Sequence, residues 1–214
     1  MHAEQYFGSY ARFDTKSKKD AASLLSADNL VGDAFDIVFL SEEGSSTAWL
    51  KNRFGNLAGF FDAEFSRKLR ILSARGWILK AFLSFVAFTD SPEPGHYWGE
   101  AAVICYDPSL NKPFSHFESA LSQRLANGVR PDIALGEQGV EHIVRTDGTW
   151  QPKSTLPFPE KTAGTVILKS RRKLSESLIE QGRKGNKGCY LVSWVFLLAL
   201  VAVVLFTFKT CGVF

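Results

Sequence analysis

Residues 77–106 read WILKAFLSFVAFTDSPEPGHYWGEAAVICY and decide the fold predicted for this chain. Two apolar runs, 77–88 and 97–106, flank the segment 90–95, in which prolines and a glycine interrupt regular structure. The length and aromatic content of the first run favour a long strand inside a sheet. We therefore predict a β-hairpin at the centre of the domain.

Two further strands are predicted upstream of this hairpin. Residues 6–13 carry aromatic side chains on both faces of a short strand. Residues 35–40 (FDIVFL) are nearly all apolar, as expected for a strand that is covered on both faces. A short helix is predicted between them, over residues 21–26. The N-terminal part of the chain therefore contributes both strands and a helix.

The strongest helical periodicity lies between residues 46 and 76. Ser46 or Thr47 is a suitable N-cap, and Gly76 is a suitable stop. The apolar residues between them recur at spacings of three and four, which gives one continuous stripe: Leu50, Phe54, Leu57, Ala58, Phe61, Phe65, Leu69 and Leu72. We predict one long helix that packs this stripe against the sheet.

Downstream of the hairpin, a second helix and a last strand are predicted. Ser115 and Glu118 form a capping box, and Gly128 ends the helix that follows it. Asp147-Gly148 is a two-residue hairpin signal that makes residues 140–144 a candidate strand. Residues 165–168 are the other candidate for the last strand.

The order of the predicted elements is strand, long helix, strand, strand, helix, strand. This is the split β-α-β-β-α-β arrangement of ferredoxin-like domains, with the strand over residues 6–13 added at an edge. The fold class is therefore α+β: one cytosolic domain over residues 1–181, with a mixed or antiparallel sheet and two packed helices, plus one C-terminal transmembrane helix. A different mixed α/β sheet would give the same order, and that alternative stays open.

Residues 189–208 (CYLVSWVFLLALVAVVLFTF) form an uncharged run in which 13 residues are Leu, Val or Phe. At about 1.5 Å per residue, a helix of this length covers roughly 30 Å, the thickness of the hydrocarbon core of a bilayer. We predict a single transmembrane helix. A basic, Gly-rich tether (182–188) joins it to the domain, and a short far-side tail (209–214) follows. This topology resembles that of tail-anchored membrane proteins.

Charge is divided unevenly along the chain. Residues 1–168 carry 17 Lys and Arg against 20 Asp and Glu, a balance of −3, whereas residues 169–187 carry seven against two, a balance of +5. A mildly acidic body argues against nucleic acid as a partner. The basic excess before the span predicts a cytoplasmic domain, on a bacterial inner membrane or its equivalent.

The basic residues near the predicted span are candidates for contact with anionic lipid at the membrane surface. They are Lys169, Arg171, Arg172, Lys173, Arg183, Lys184 and Lys187. The bilayer is therefore one predicted partner of the chain, whereas the sequence leaves the oligomeric state open.

The common catalytic patterns, such as G-x-S-x-G, H-E-x-x-H and C-x-x-C, do not occur in the sequence. Glu93, His96 and Glu100 are weak catalytic candidates, because their side chains could hold a metal ion or share a proton. Their spacings of three and four converge only on a helix, however. Glu42 and Glu43 follow the carboxyl end of a predicted central strand and are candidate ligand-binding residues for a cation. Neither a metal site nor a cofactor is predicted.

Two functional hypotheses follow from these observations. The first is a non-enzymatic protein-interaction or regulatory module at the membrane face, with a gating, inhibition, immunity or exclusion-like role. Its partner would be another membrane or membrane-associated protein. The alternative is a membrane-anchored enzyme, or a sensor of a small ligand or cation, with a pocket near Glu42 or His96. Lipid binding by residues 169–187 is a third reading.

Overall fold

The computed structural model describes residues 5–42, 45–160, 163–173, 175–176 and 195–198. The strands of this part of the chain are β1 (Tyr6–Asp14), β2 (Ala34–Glu42), β3 (Ser45–Lys51), β4 (Leu57–Phe61), β5 (Ile78–Thr89), β6 (His96–Tyr106) and β7 (Thr165–Lys169). The α-helices are α1 (Lys18–Leu25), α2 (Ala63–Ala74), α3 (Asn111–Ala126) and α4 (Glu137–Arg145).

Six strands close into an antiparallel barrel in the order β2-β3-β4-β1-β6-β5. β2 completes the closure by pairing with β5, where Ala34 lies opposite Phe82 and Asp36 lies opposite Lys80. β7 is added to the same edge of β5 further along, with Thr165 opposite Thr89. The prediction of a ferredoxin-like α+β domain is therefore wrong, because the sheet returns on itself.

The central hairpin is confirmed. β5 and β6 pair from Ile78 opposite Tyr106 to Thr89 opposite His96. Their register shifts between Leu83 and Phe85, and the extra residue, Ser84, is buried. Such a bulge bends a strand locally. Here it lies where β5 changes its second partner from β2 to β7.

The predicted long helix over residues 46–76 is wrong in its first half. The chain there forms the β3–β4 hairpin, and only Ala63–Ala74 is helical. In the hairpin turn, Asn52 Oδ1 accepts two backbone N–H groups at 3.0 and 2.9 Å, and Gly55 has a φ of 85°. Asp62 is the N-cap of α2 and accepts a backbone N–H at 2.7 Å. Turn and cap chemistry outweigh the helical periodicity.

Two predictions for the second half of the chain are also corrected. Residues 140–144 lie inside helix α4 and do not form a strand. Asp147 and Gly148 have φ values of 50° and 81° and follow the end of that helix, without turning a hairpin. Ser115 and Glu118 do not form a capping box, because α3 begins at Asn111 and both residues lie inside it. The Glu118 carboxylate instead accepts a hydrogen bond from the hydroxyl of Tyr106 at 2.7 Å.

Apolar side chains fill the barrel and also cover part of its outer surface. The interior cluster includes Phe13, Phe35, Leu50, Phe61, Leu69, Leu83, Val86 and Val103. The outer cluster packs α3 and α4 against the sheet through Ile104, Tyr106, Phe114, Phe117, Leu121, Val140 and Ile143. Because side chains occupy the interior, a ligand would have to bind at the rim or on the outside.

The predicted C-terminal transmembrane helix belongs to a different part of the chain. The first compact unit ends at Arg172, and residues 173–214 form the second. Within the described residues, no helix is both long enough and apolar enough to cross a bilayer. Of the predicted span, only residues 195–198 are described. The remainder of 189–208, the tether 182–188 and the tail 209–214 lie outside the described residues.

Two barrel glycines make room for the ring of Phe13. A Cβ atom on Gly99 would lie 2.5 Å from this ring and 2.7 Å from the backbone oxygen of Phe85. A Cβ on Gly59 would also lie 2.5 Å from the Phe13 ring. The closeness of β1, β4 and β6 around Phe13 therefore depends on these two residues.

Gly99→Ala is expected to lower the free energy of unfolding by about 1–3 kcal/mol, because the added methyl overpacks the interior. Adding Phe13→Leu should restore part of the loss. Gly136→Ala is the control, since nothing lies within 4 Å of its Cβ position, and it should cost less than about 1 kcal/mol. Urea unfolding measures all three variants, and equal losses for Gly99→Ala and Gly136→Ala would contradict the packing described.

Candidate functional site

A cleft of about 610 Å³ lies at one end of the barrel, between α1 and the β5–β6 turn. We call it the mouth cleft. Its walls combine apolar residues (Ala21, Ala22, Leu25, Phe88, Pro94 and Tyr97) with polar ones (Thr15, Lys16, Ser17 and His96) and Gly95. A volume of this size falls within the range of small-molecule sites. The cleft can therefore take a large side chain or a small ligand.

The turn between β5 and β6 builds one wall of the mouth cleft. Gly95 has a φ of 75°, and a Cβ atom there would lie 2.4 Å from the ring of Phe88. Only glycine lets the backbone approach this ring so closely in that conformation. The rings of Phe88 and Tyr97 lie 4.8 Å apart and form an aromatic floor.

The polar rim of the mouth cleft is held by contacts from β1. Thr15 Oγ1 donates a hydrogen bond to the backbone oxygen of Tyr97 at 2.9 Å. The Arg12 guanidinium lies 3.2 Å from His96 Nε2 and 4.3 Å from the centre of the Trp98 ring. A guanidinium can only donate, so His96 accepts through Nε2 and carries its proton on Nδ1. Arg12 also pairs with Asp14 at 3.0 Å.

The strand β7 lies beside the aromatic floor and has an exposed apolar side. Val166 lies opposite Phe88 in the sheet, and residues that are paired in this way share a face. Val166 is 54% exposed, and Leu168, two residues further on the same face, is 40% exposed. The apolar surface of the mouth cleft therefore continues toward β7. Among the described residues, β7 pairs with β5 alone.

Lys169 joins the end of β7 to the end of α1. Its ammonium group donates to the backbone oxygens of Leu24 (3.4 Å), Ser26 (2.8 Å) and Asn29 (3.1 Å). These oxygens belong to the last turn of α1 and the loop that follows it, where carbonyl groups lack helical partners. The contact holds α1 and β7, the two flanks of the site, at a fixed separation.

A buried ion pair lies on the outer face of the same strands. The guanidinium of Arg130 binds Glu100 Oε1 and the backbone oxygen of Pro157, and it donates to Ser84 Oγ at 3.2 Å. Three aromatic rings surround it at 4.6–5.7 Å, those of Tyr10, Phe85 and Phe158. Burial raises the pKa of Glu100, and the charge of Arg130 opposes that rise only in part. Every group of this cluster has a partner, which indicates a structural role.

The three weak catalytic candidates do not meet in space. Glu93 is exposed in the β5–β6 turn, His96 lies on the rim of the mouth cleft, and Glu100 is engaged by Arg130. His96 and Glu100 point to the same side of β6 with Trp98 between them. A shared proton or metal ion among the three does not fit this arrangement.

Of the acidic pair predicted for ligand binding, the structure describes one residue. Glu42 is the last residue of β2, and Glu43 falls outside the described residues. Within the part of the chain that the structure describes, no group of three or more His, Cys, Asp or Glu side chains is placed to hold a metal ion.

The predicted membrane-surface residues divide into three groups. Lys169 and Arg172 form contacts within the domain. Lys169 donates to the backbone oxygen of Ser26, and Arg172 pairs with Asp33 at 2.8 Å and donates to the backbone oxygen of Val31 at 2.7 Å. Arg171 and Lys173 are exposed. The remaining three, Arg183, Lys184 and Lys187, lie outside the described residues.

Sequence reasoning found His96 but missed most of the mouth cleft. Its walls come from four separate segments, and only the closed barrel brings them together. The sequence of the strand predicted at residues 165–168 (TVIL) gives no signal of its exposed face, because Val166, Ile167 and Leu168 are all apolar. The alternation of exposed Val166 and Leu168 with half-buried neighbours is seen only in the structure.

No protein family, curated protein or solved structure matches this chain.

Arg130→Met is expected to lower the free energy of unfolding at pH 7 by about 3–5 kcal/mol, because Glu100 would stay buried without a counter-charge. The decrease in the free energy of unfolding should become smaller at lower pH. An unpaired buried carboxyl has a raised pKa in the folded state, so the folded protein binds more protons than the unfolded one and regains stability as the pH falls through that pKa.

Urea unfolding at pH 7 and pH 5 measures this effect. Arg130→Met combined with Glu100→Leu is the matched control, because it removes both charges. It should be more stable than Arg130→Met alone and should lack the additional pH dependence. An Arg130→Met deficit of the same size at both pH values would contradict the account of the ion pair.

Proposed function

We propose that the domain is a non-enzymatic protein-interaction module that binds an extended segment of a partner protein. The segment adds to the edge of β7 that faces away from β5, where the described residues place no second strand, and puts one of its side chains in the mouth cleft. The observation that carries this proposal is the apolar exposed face of β7, formed by Val166 and Leu168, next to the aromatic floor of the cleft.

The composition of β7 favours strand addition. Proteins usually protect an edge strand with an outward charge, a proline or a covering loop. β7 has the sequence TVILK, and its only charged residue, Lys169, turns its ammonium group to the carbonyls after α1. The register of β7 with β5 shifts near Leu168, and the edge carries neither an outward charge nor a proline, which suits main-chain pairing with another extended chain.

The mouth cleft would supply side-chain selectivity. Alternate residues of an added strand face the same side, so an apolar residue of the segment would lie over Phe88 and Val166. The cleft volume of about 610 Å³ accommodates an aromatic or a long aliphatic side chain.

The cellular setting of this proposal comes from the sequence. Membrane attachment through residues 189–208, and a cytoplasmic position of the domain, stay predictions based on hydropathy and charge. In that setting, the partner is another membrane or membrane-associated protein, and pairing with β7 would regulate it.

A small-ligand sensor is the second candidate function, because the mouth cleft lies at His96, one of the positions predicted for such a pocket. Ala22 is exposed in the cleft wall, so Ala22→Trp would fill the cleft. Val166→Lys distinguishes the two functions, because it changes the face of β7 and leaves the cleft open. It should weaken strand addition and leave small-ligand binding unchanged.

Photo-crosslinking in the native membrane tests the proposal. A photoreactive amino acid at position 168 of the full-length chain should give a discrete crosslinked protein, mapped by mass spectrometry to an extended segment. The same amino acid at the exposed position 141 on α4 is the matched control and should not give this product. Val166→Lys should lower the crosslink yield at least about tenfold, because burial of an apolar side chain contributes roughly 1.5–3 kcal/mol.

Three results would count against strand addition. These are equal yields at positions 168 and 141, an unchanged yield in the Val166→Lys variant, and a product that contains only a second copy of this chain. Loss of the crosslink with Ala22→Trp but not with Val166→Lys would favour the small-ligand function instead.

A further inference from the structure

The outward surface of α2 is strongly basic. The helix rests on the barrel along one narrow stripe, in which Ser66, Leu69 and Leu72 are buried. The remaining surface carries Arg67, Lys68 and Arg70, and the C-cap residue Arg75 follows. Glu64 is the only acidic residue of the helix, so the balance over residues 63–75 is four basic against one acidic, or +3.

An exposed isoleucine lies in the middle of these charges. Ile71 is 50% exposed although it belongs to a helix that packs on the core. Residues three and four positions apart are neighbours on a helix surface, so Ile71 is bordered by Arg67, Lys68, Ala74 and Arg75. The outward face therefore combines one apolar side chain with three cations around it.

Contacts inside the domain do not neutralise this charge. Lys68 lies 3.8 Å from the centre of the Phe7 ring, a contact that leaves its positive charge in place. Arg67, Arg70 and Arg75 form no ion pair with the carboxylates of the described residues. Elsewhere on the domain, by contrast, Arg12, Lys80 and Arg172 each pair with an aspartate.

We propose that α2 docks on an anionic lipid surface, with Ile71 inserted among the headgroups and the arginines paired with lipid phosphates and carboxylates. Cations that surround an apolar residue suit the boundary between water and acyl chains. This surface is carried by residues outside the mouth cleft and β7, so it stands independently of the proposed protein partner.

This inference adds a second predicted basis of membrane-surface contact. The sequence assigned that contact to residues 169–187, but Lys169 and Arg172 are bound inside the domain. The basic face of α2 was hidden by the mildly acidic balance of residues 1–168 taken as a whole. Its charges are instead concentrated on one element.

The test uses the full-length chain with Cys189→Ser and Cys211→Ser. Cys105 stays in place, because it is fully buried and burial raises the pKa of its thiol to about 12. A new cysteine, Ala74→Cys, carries an environment-sensitive fluorophore beside Ile71. The protein is reconstituted into nanodiscs of phosphatidylcholine, with or without about 30% phosphatidylserine. Nitroxide-labelled lipids report how close the fluorophore is to the bilayer.

The expected result is a blue shift and nitroxide quenching with phosphatidylserine, and neither with phosphatidylcholine alone. Raising the salt from about 0.1 M to 0.5 M should weaken both signals. Arg67→Glu with Arg70→Glu should lower the ratio of docked to free domain at least about 25-fold, taking each lost cation as about fivefold.

Lys112→Glu with Lys153→Glu is the matched control, because it makes the same change in net charge at two exposed lysines outside α2. This control variant should show the same blue shift and nitroxide quenching as the unaltered protein. Three results would overturn the proposal: equal signals in both lipid mixtures, an equal loss in the control pair, or no lipid signal while a single-stranded oligonucleotide or an acidic peptide shifts the fluorophore.

Discussion

The structure depends on the way in which one edge of β5 is shared by two strands. β2 pairs with residues 80–82 at this edge and closes the barrel, and β7 pairs with residues 86–89. Between the two, the bulge residue Ser84 accepts a hydrogen bond from the buried guanidinium of Arg130. Because that guanidinium also binds Glu100 on β6, the point of division is tied to the neighbouring strand and to the outer cluster.

This division separates the stable part of the domain from the part available for binding. Closure by β2 lets side chains fill the barrel, so that binding surface remains only at the rim and on the outside. β7 is held on one side by β5 and at its end by Lys169, while Val166 and Leu168 stay exposed. Hydrogen bonds thus hold the strand in place without covering its apolar face.

Local features were predictable from the sequence, but the closure was not. The central hairpin, the strand at residues 165–168 and the apolar strand β2 are all found where the sequence placed them. The prediction of one helix over residues 46–76 was wrong because the apolar spacing over residues 50–61 fits a helix and a hairpin equally. The turn contacts of Asn52 and the N-cap Asp62 determine which of the two forms. The mouth cleft could not be predicted, because it joins segments that are more than 60 residues apart in the chain.

The central claim is that β7 pairs with β5 on one side and, within the described residues, with no strand on the other. Amide hydrogen exchange of the full-length chain, resolved by residue across Thr165–Lys169, tests it most directly, since successive amides of an edge strand point to opposite sides. We predict that, of the neighbouring amides of Val166 and Ile167, the one that faces β5 is protected and the one that faces outward exchanges rapidly. Uniform protection would contradict the account, because a second strand would then already cover the edge.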